Sequence, residues 1–302
     1  MKQRIAYLMS RDMLPDQPNT RPDFGLHAIQ FDPIREACGA RGIELVETVW
    51  DEPGVESRGF DGVVVGTVWD YVKRPDEFVK AIRRIERVAP VWNPVDTVVW
   101  NMQKRYLIDL ERGGARLVPT LWRERADAAT IRAAFDELGC ERIVVKPEVG
   151  AGAWRQVLVG RGDAMPPEDQ LPPGRAMIQP FVESILTEGE YSLLYFGRAF
   201  SHAVRKVAKA GEYRIQAVYG GRDRGHTPSE AELEAAQRVI DAVPGELLYA
   251  RVDMVRASDG RLMLMELELI EPYLYPVEGD DFAGRFAGAL VGLAAKNGGV
   301  LR

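Results

Sequence analysis

Glu266 and Glu268 are separated by one leucine in the stretch Leu264-Met265-Glu266-Leu267-Glu268-Leu269. In a strand, successive side chains alternate across the sheet, so both carboxylates point to one face and the leucines to the other. Two desolvated carboxylates side by side repel, and one takes up a proton unless a cation lies between them. Magnesium would remove that conflict, because this hard cation is held by a few carboxylates together with nucleotide phosphates. Asp253, two residues after Arg251 on the preceding apolar stretch, offers a third oxygen ligand. The same spacing also describes an amphipathic hairpin with a wet acidic face, and alone it leaves both readings open.

Two lysines fit phosphate chemistry. Lys104 stands at the start of a helical segment, and Lys146 closes the apolar run Arg142-Ile143-Val144-Val145-Lys146 just before Gly150-Ala151-Gly152-Ala153. A cation beside free backbone amides can hold phosphates. The glycine pair has neither Walker nor Rossmann spacing, however, and alone reads equally as a surface turn. The segment Met177-Ile178-Gln179-Pro180-Phe181-Val182-Glu183 is apolar and hinge-like. Pro180 withholds one donor there while its neighbours keep amides and carbonyls that could read an adenine edge, and Glu190 could take ribose hydroxyls.

The elements that must position these residues fall into three stretches, 1–100, 101–182 and 183–302. The first alternates strand and helix signals: Ile5–Leu8, a helix near Pro33–Arg41, Glu44–Val49, the apolar run Gly62–Gly66, and a helix opened by Pro75 with Phe78, Ile82, Ile85 and Ala89 as its buried stripe. Lys80, Arg83, Arg84 and Arg87 on its other side read as a solvated face. The second stretch has a helix near Lys104–Arg112, a strand at Val118–Trp122, a helix capped by Asp127 and stopped by Gly139, and strands at Ile143–Lys146, Val157–Val159 and Ala176–Ile178. The third has a hairpin of Glu190–Tyr195 and Ala199–Val204, a loop over Ala208–Thr227, and a helix with Ser229 and Glu232 as a capping box. Strands at Tyr249–Arg256 and Leu262–Ile270 follow, then a closing helix along Phe282, Phe286, Leu290 and Leu293. The fold class is α/β, becoming α+β beyond residue 100.

Composition narrows the function. The chain has 302 residues, 46% hydrophobic and 28% charged, which is enough for several packed units around an interdomain site. No apolar run approaches the roughly 20 residues of a membrane span, and the N-terminus lacks a secretory pattern, so a cytoplasmic location is expected. A net charge of -6 argues against nucleic-acid partners and favours small molecules. Cys38 and Cys140 are too far apart and too isolated for a zinc motif or a disulfide framework, and both read as packed thiols.

In chain order these pieces resemble the ATP-grasp superfamily: a lysine, a strand-end lysine with a glycine loop, an adenine hinge and late acidic metal ligands. Gly211-Glu212-Tyr213-Arg214 followed by Gly220-Gly221 is similar to a stretch of bacterial glutathione synthetases, and Lys206 falls at their phosphate-contacting base. Glu268 replaces the asparagine common in the superfamily. The ATP-grasp cyclo-ligases that form D-cycloserine look similar over most of the chain, through Lys104-Arg105-Tyr106-Leu107, Gln179–Ser184, Ser201-His202-Ala203 and Glu266–Pro272, and make Glu268 expected. The first third matches less well, so the resemblance leaves the substrate open.

The resemblance implies an ATP-grasp fold with an N-terminal Rossmann-like pre-ATP-grasp domain. It implies ATP bound by Lys104, Lys146, Lys206, Gly150, Ala151, Gly152, Gln179, Phe181, Val182 and Glu190. Magnesium, or manganese in its place, would lie on Asp253, Glu266 and Glu268. It further implies an ADP-forming ligase joining a small-molecule carboxylate to a nitrogen nucleophile through an acyl phosphate, within one amino-acid derivative or between two molecules. Arg214, Arg251 and Lys206 are expected at the acyl phosphate. Substrate contacts are expected from Ser10, Arg11, Asp12, Thr67 and Trp69, at the ends of first-domain strands where α/β sheets place ligands. The glycine loops near residues 150 and 208–221 are expected to close as lids. His202 and His226 read as structural. Assembly as a homodimer or homotetramer is compatible with this reading. The rival readings are a non-catalytic nucleotide-binding protein and a small-molecule kinase.

Overall fold

The computed structural model describes residues 2–150, 152–209, 212, 214 and 220–297. Three sheets organise the described residues. The first is parallel, with β1 (Gln3–Met9) between β2 (Ile43–Val49) and β3 (Gly62–Val65), and β4 (Val91–Trp92) outside β3. Ile5 to Met9 are all at most 1% exposed. A central parallel strand covered on both faces reads as a continuous apolar run, which is why this one was visible in sequence.

The first helix, α1 (Gly25–Gly39), differs from expectation: it starts eight residues earlier and carries Pro33 inside it. Its inner face includes His27 and Gln30 with Phe31, Ile34 and Cys38. Two polar residues in the stripe hid the helical period before Pro33. By contrast α2 (Pro75–Glu86) buries Phe78, Ile82 and Ile85 as expected, and Arg83 and Arg84 make surface ion pairs with Glu86, Asp96 and Glu56. The thiol of Cys38 is buried and pushed up to about 11 by desolvation. Both cysteines are free.

A short helix the sequence reading passed over, α3 (Val95–Asn101), precedes α4 (Tyr106–Arg112). The second sheet has the order β5-β8-β6-β7, from β5 (Leu121–Arg123), β6 (Arg142–Pro147), β7 (Val157–Gly160) and β8 (Ala176–Pro180). It carries α5 (Ala128–Leu138), which begins where the Asp127 side chain accepts the Thr130 N–H and ends at Gly139 with φ of 61°. After α6 (Ser184–Thr187), the third sheet runs β11-β10-β9-β12-β13. Its strands are β9 (Glu190–Phe196), β10 (Ala199–Val207), β11 (Arg222–His226), β12 (Tyr249–Arg256) and β13 (Leu262–Glu268). The β9-β10 hairpin turns at Gly197 and Arg198, both at positive φ, as a two-residue turn demands.

Strand β11 corrects the expectation of an unbroken loop over 208–227. Arg222-Asp223-Arg224-Gly225-His226 has no apolar alternation because it lies at the sheet edge with neither face in the core. Strand β13 ends at Glu268, two residues short of expectation. The last helix, α8 (Phe282–Asn297), buries Phe282, Phe286 and Leu290 in one cluster with Ile5, Phe31 and Ile34 of the first sheet and α1. The C-terminal segment thus crosses back to the N-terminal unit.

Helix α7 (Glu230–Ala242) starts in a complete capping box between Ser229 and Glu232. The Glu232 carboxylate also takes Arg256 and His226. Burial pushes this carboxyl up, but the hydrogen bonds from Arg256, the Ser229 N–H and His226 outweigh burial and bring it down to about 2. A carboxyl depressed in the folded state stabilises above its unfolded value of about 4.3 and loses that contribution as pH falls through the folded value. Glu232→Gln should therefore lower the melting temperature at pH 7, and the gap from wild type should close between about pH 4 and pH 2, as read by thermal melts.

Candidate active site

The acid strand is held from outside its sheet. Among the described residues no named strand pairs with the outer edge of β13, which has only an isolated bridge from Leu117 to Leu264, so its backbone groups need other partners. The Leu264 amide donates to the Arg116 carbonyl, and the Leu264 carbonyl accepts the Val118 amide. The Leu267 amide donates to the Tyr106 hydroxyl at 2.8 Å. Asn101 bonds the Leu267 carbonyl at 2.9 Å and the Leu269 amide at 3.0 Å. Asn93 bonds the Leu269 and Tyr249 carbonyls and the Leu248 amide. These three polar side chains, all at most 7% exposed, set the height of Glu266 and Glu268 relative to the first sheet. Sequence reasoning missed them; the signal was present only as two asparagines in otherwise apolar surroundings.

On the open face, Lys104 connects parts far apart in the chain. Its Nζ donates to Glu266 Oε1 at 2.6 Å and to the Gly150 carbonyl at 2.9 Å. The adjacent pocket is lined by Lys146, Gln179, Phe181, Val182, Glu190, Arg214 and Glu266, all anticipated, and by Val118, Val144, Gln156 and Met265, which were not. The Lys146 ammonium makes no hydrogen bond or ion pair with any described residue, although its backbone pairs with Met177 in the β6-β8 ladder. Burial draws its ammonium below the usual value, with Glu266 opposing. The Gly150 and Gly152 backbone takes positive φ, as do Ala153 and Arg155. Ala151 lies outside the described residues. The root of this loop is anchored by Glu148, which is 4% exposed and accepts Arg105 at 3.0 Å through one oxygen.

The hinge differs in detail from expectation. The Phe181 amide is spent on the Arg142 carbonyl and the Val182 carbonyl on the Ile185 amide, while the Arg142 guanidinium stacks 4.5 Å over the Phe181 ring. The Val182 amide has no backbone partner among the described residues. Gln179 is 2% exposed and its side-chain amide donates to Thr120 at 2.9 Å. The Phe181 backbone is used because β6 and β8 remain in register up to Pro180, one residue before it.

Deeper in the cleft the charges interlock. Lys206 donates to Glu190 at 2.6 Å and lies 3.4 Å from Asp253. Burial would pull this ammonium down, but Asp253 and Glu190 outweigh burial and hold it above its ordinary value. Arg251 grips both Asp253 oxygens at 3.0 Å and also reaches Glu268. Asp253, which is 2% exposed, also accepts the Ser192 hydroxyl. The Glu268 carboxyl is pushed up to about 7 by burial, with Asp253 and Glu266 adding to the effect against Arg251. Glycine is obligatory at Gly189, since a Cβ there would lie 2.1 Å from the Lys206 carbonyl.

Among the described residues no group of three or more His, Cys, Asp or Glu side chains is arranged to hold a metal ion. Asp253, Glu266 and Glu268 are each turned to a protein cation instead. The donor chemistry still fits magnesium, because Glu266 and Glu268 are hard oxygen donors on one strand face and the Glu268 carboxyl is raised by burial, with Asp253 and Glu266 adding to the effect. Magnesium commonly takes one or two carboxylates and completes its shell with phosphate and water.

Arg214 lines the pocket and is held by Glu212 at 2.6 Å; Gly211 and Tyr213 lie outside the described residues. The residues expected at the substrate divide. Ser10 and Thr67 are 0% exposed: the Ser10 hydroxyl bonds Asp12 and the Thr67 carbonyl, and the Thr67 hydroxyl bonds His27 at 2.6 Å. Arg11 is exposed and pairs with Asp51. Trp69 reaches the acid strand's continuation, donating to the Glu271 carbonyl at 2.8 Å. His202 is buried between Ser201 and the Leu274 carbonyl, and His226 bonds Glu232, both in packing positions.

The N-terminal unit matches the family profile described as D-cycloserine synthetase DcsG, N-terminal domain, over residues 5–93. The cycloserine biosynthesis protein DcsG of Streptomyces lavendulae is 31% identical over 281 residues, covering 87% of this chain and 93% of that protein. The chain belongs to the DcsG family of ATP-grasp ligases. The crystal structure of D-cycloserine synthetase DcsG is similar with a TM-score of 0.83 at 27% identity, covering 96% of this chain and 99% of that one. More distant neighbours share the fold: the ATP-grasp ligase PsnB, complexed with minimal precursor, Mg and ADP, gives a TM-score of 0.65 at 17% identity over 96% and 97% of the two chains. D-alanine–D-alanine ligase from Bacillus anthracis, complexed with ATP, gives 0.63 at 14% identity over 97% and 98%. The DcsG-like chain therefore has the ATP-grasp fold with an N-terminal pre-ATP-grasp domain. No described helix is long and apolar enough to cross a membrane.

Proposed function

We propose that this DcsG-family chain is an ADP-forming carbon–nitrogen ligase that phosphorylates a small-molecule carboxylate and passes the acyl group to a nitrogen nucleophile, within one amino-acid derivative. The observation that carries the reading is Lys104, whose Nζ joins Glu266, 162 positions away in sequence, to the glycine loop at the mouth of the hinge pocket. A carboxylate oxygen attacks the γ-phosphorus, ADP leaves, the nitrogen attacks the acyl carbon, and phosphate departs. Such chemistry asks the protein mainly to position and neutralise charge. In this reading the adenine enters between Val118, Val144, Phe181 and Met265, and Lys104 and Lys146 meet the phosphates. Arg251, Lys206 and Arg214 meet the acyl phosphate. Magnesium, on Glu266 and Glu268 with Asp253 behind them, supplies charge neutralisation for the phosphate oxygens. The same reading takes 1–100 as the substrate domain, 101–182 as the unit bearing the phosphate loop and 183–302 as the unit bearing the acids.

Incubation with Mg-ATP and a broad panel of amino-acid derivatives tests this. ADP release should depend on one substrate, and hydroxylamine should trap the activated acid as a hydroxamate. Tight nucleotide binding with no ADP across the panel would instead indicate a sensor, and a stable phosphorylated product without hydroxamate would indicate a kinase.

A further inference from the structure

Residues 104–105, just before α4, are tied to residues 148–150 at the root of the glycine loop. The Lys104 amide donates to the Glu148 carbonyl at 3.0 Å, and the Lys104 ammonium reaches the Gly150 carbonyl and Glu266. The next residue, Arg105, donates through Nε to Glu148 Oε1 at 3.0 Å. Its guanidinium carbon lies 5.7 Å from the centre of the Trp122 ring on β5, and its Nη2 lies 3.9 Å from Glu124. Glu124 in turn accepts the Arg175 side chain at 2.9 Å, and the Arg175 carbonyl accepts the Glu148 amide at 3.0 Å. Glu148 is thus held through both backbone groups and through one carboxylate oxygen. The other oxygen, Oε2, is buried and has no hydrogen-bond partner among the described residues.

A buried carboxylate oxygen that accepts nothing is costly, because it has given up water without a replacement. Donors stand close by in the chain: the amides at 149, 150 and 152–155 have no acceptor among the described residues. Positive φ at Gly152, Ala153 and Arg155 belongs to the kind of backbone that gathers successive N–H groups into an anion-binding concavity. A phosphate cannot satisfy Oε2 itself, since two anions repel, so this oxygen has to be spent on a protein donor. We propose that Glu148 is a positioning residue for the nucleotide phosphates. Arg105 fixes its Oε1, its Oε2 takes one glycine-loop N–H when nucleotide binds, and the remaining loop amides are thereby presented beside Lys104 to the phosphates. Glu148 touches no reacting atom and acts through the loop. This inference rests on the ligase reading for the place of the phosphates, and it adds the group that shapes their site.

The test is calorimetric titration of the full chain, with magnesium, using adenosine and a non-hydrolysable ATP analogue as probes. Adenosine needs the hinge pocket alone, whereas the analogue also needs Lys104 and the loop. Glu148→Gln removes one acceptor oxygen at nearly constant size, and should weaken the analogue about tenfold while leaving adenosine within about twofold of wild type. Arg105→Gln, at a partly exposed side chain, should weaken the analogue in the same selective way. With the analogue saturating both chains, hydrogen exchange over 149–155 should be slower in wild type than in Glu148→Gln. Unchanged analogue affinity in both variants, an equal loss of adenosine and analogue, or identical exchange over the loop would overturn the inference. An analogue bound no tighter than adenosine by wild type would overturn it together with the placement of the phosphates. The ligase reading fails separately: phosphate-selective weakening with no ADP release from any acid would support the role of Glu148 and overturn only the ligase.

Discussion

Lys206→Met should destabilise the fold by about 3–5 kcal/mol, because removing one partner leaves buried charge without compensation. Lys206 is 5% exposed, and the two acids it serves, Glu190 and Asp253, are 6% and 2% exposed. Asp253 retains Arg251 and Ser192, so Glu190 becomes the orphan. The double variant Lys206→Met with Glu190→Gln should therefore recover most of the lost stability and none of the activity. The deficit of the single variant should also shrink as pH is lowered, since the stranded carboxyl then protonates in the folded state. Thermal and urea unfolding of the four chains in this double-mutant cycle at several pH values, with ADP release measured alongside, would check these statements. A single variant as stable as wild type would show that the interlocked charges do not support the sheet.

Glu268→Gln should separate activity from stability in the opposite sense. Its carboxyl, pushed up to about 7 by burial beside Asp253 and Glu266, is ionised in the folded chain at a cost. A carboxyl raised above its unfolded value of about 4.3 binds more protons in the folded state, so stability falls as pH rises from about 4.3 through 7. Glutamine resembles the protonated form. The variant should thus melt at or above the wild-type temperature at pH 8, while ADP release drops by about 100-fold, or about 2.7 kcal/mol in barrier, and needs more magnesium. Near-normal turnover would remove Glu268 from the site, and a large fall in melting temperature would make it a structural residue.

These two variants expose different layers of the protein. The Glu-Leu-Glu spacing was legible because strand alternation has a period of two and needs only local sequence. The strand-end Lys146, the glycine loop, the Asp127 and Ser229 caps and the β9-β10 hairpin were legible for the same reason: each depends on a few adjacent residues. Helix α1 and strand β11 were obscured because the local pattern was incomplete. Pro33 looked like a helix start, and an edge strand without a buried face has no alternation to display.

Chain order alone placed a lysine, a loop, a hinge and an acid strand in a series resembling ATP-grasp ligases. Sequence by itself thus determined most of the strands, most of the helices and the types of charge the site would contain. Tertiary structure alone decided which charges meet. Lys104 finds Glu266, Lys206 finds Glu190, Arg251 joins Asp253 to Glu268, and Asn93, Asn101 and Tyr106 complete the bare edge of β13. It also returned α8 to the first sheet. The physical reason is range: periodicity and capping act over one turn or one strand, whereas ion pairs and edge hydrogen bonds depend on distances set only when separate sheets pack.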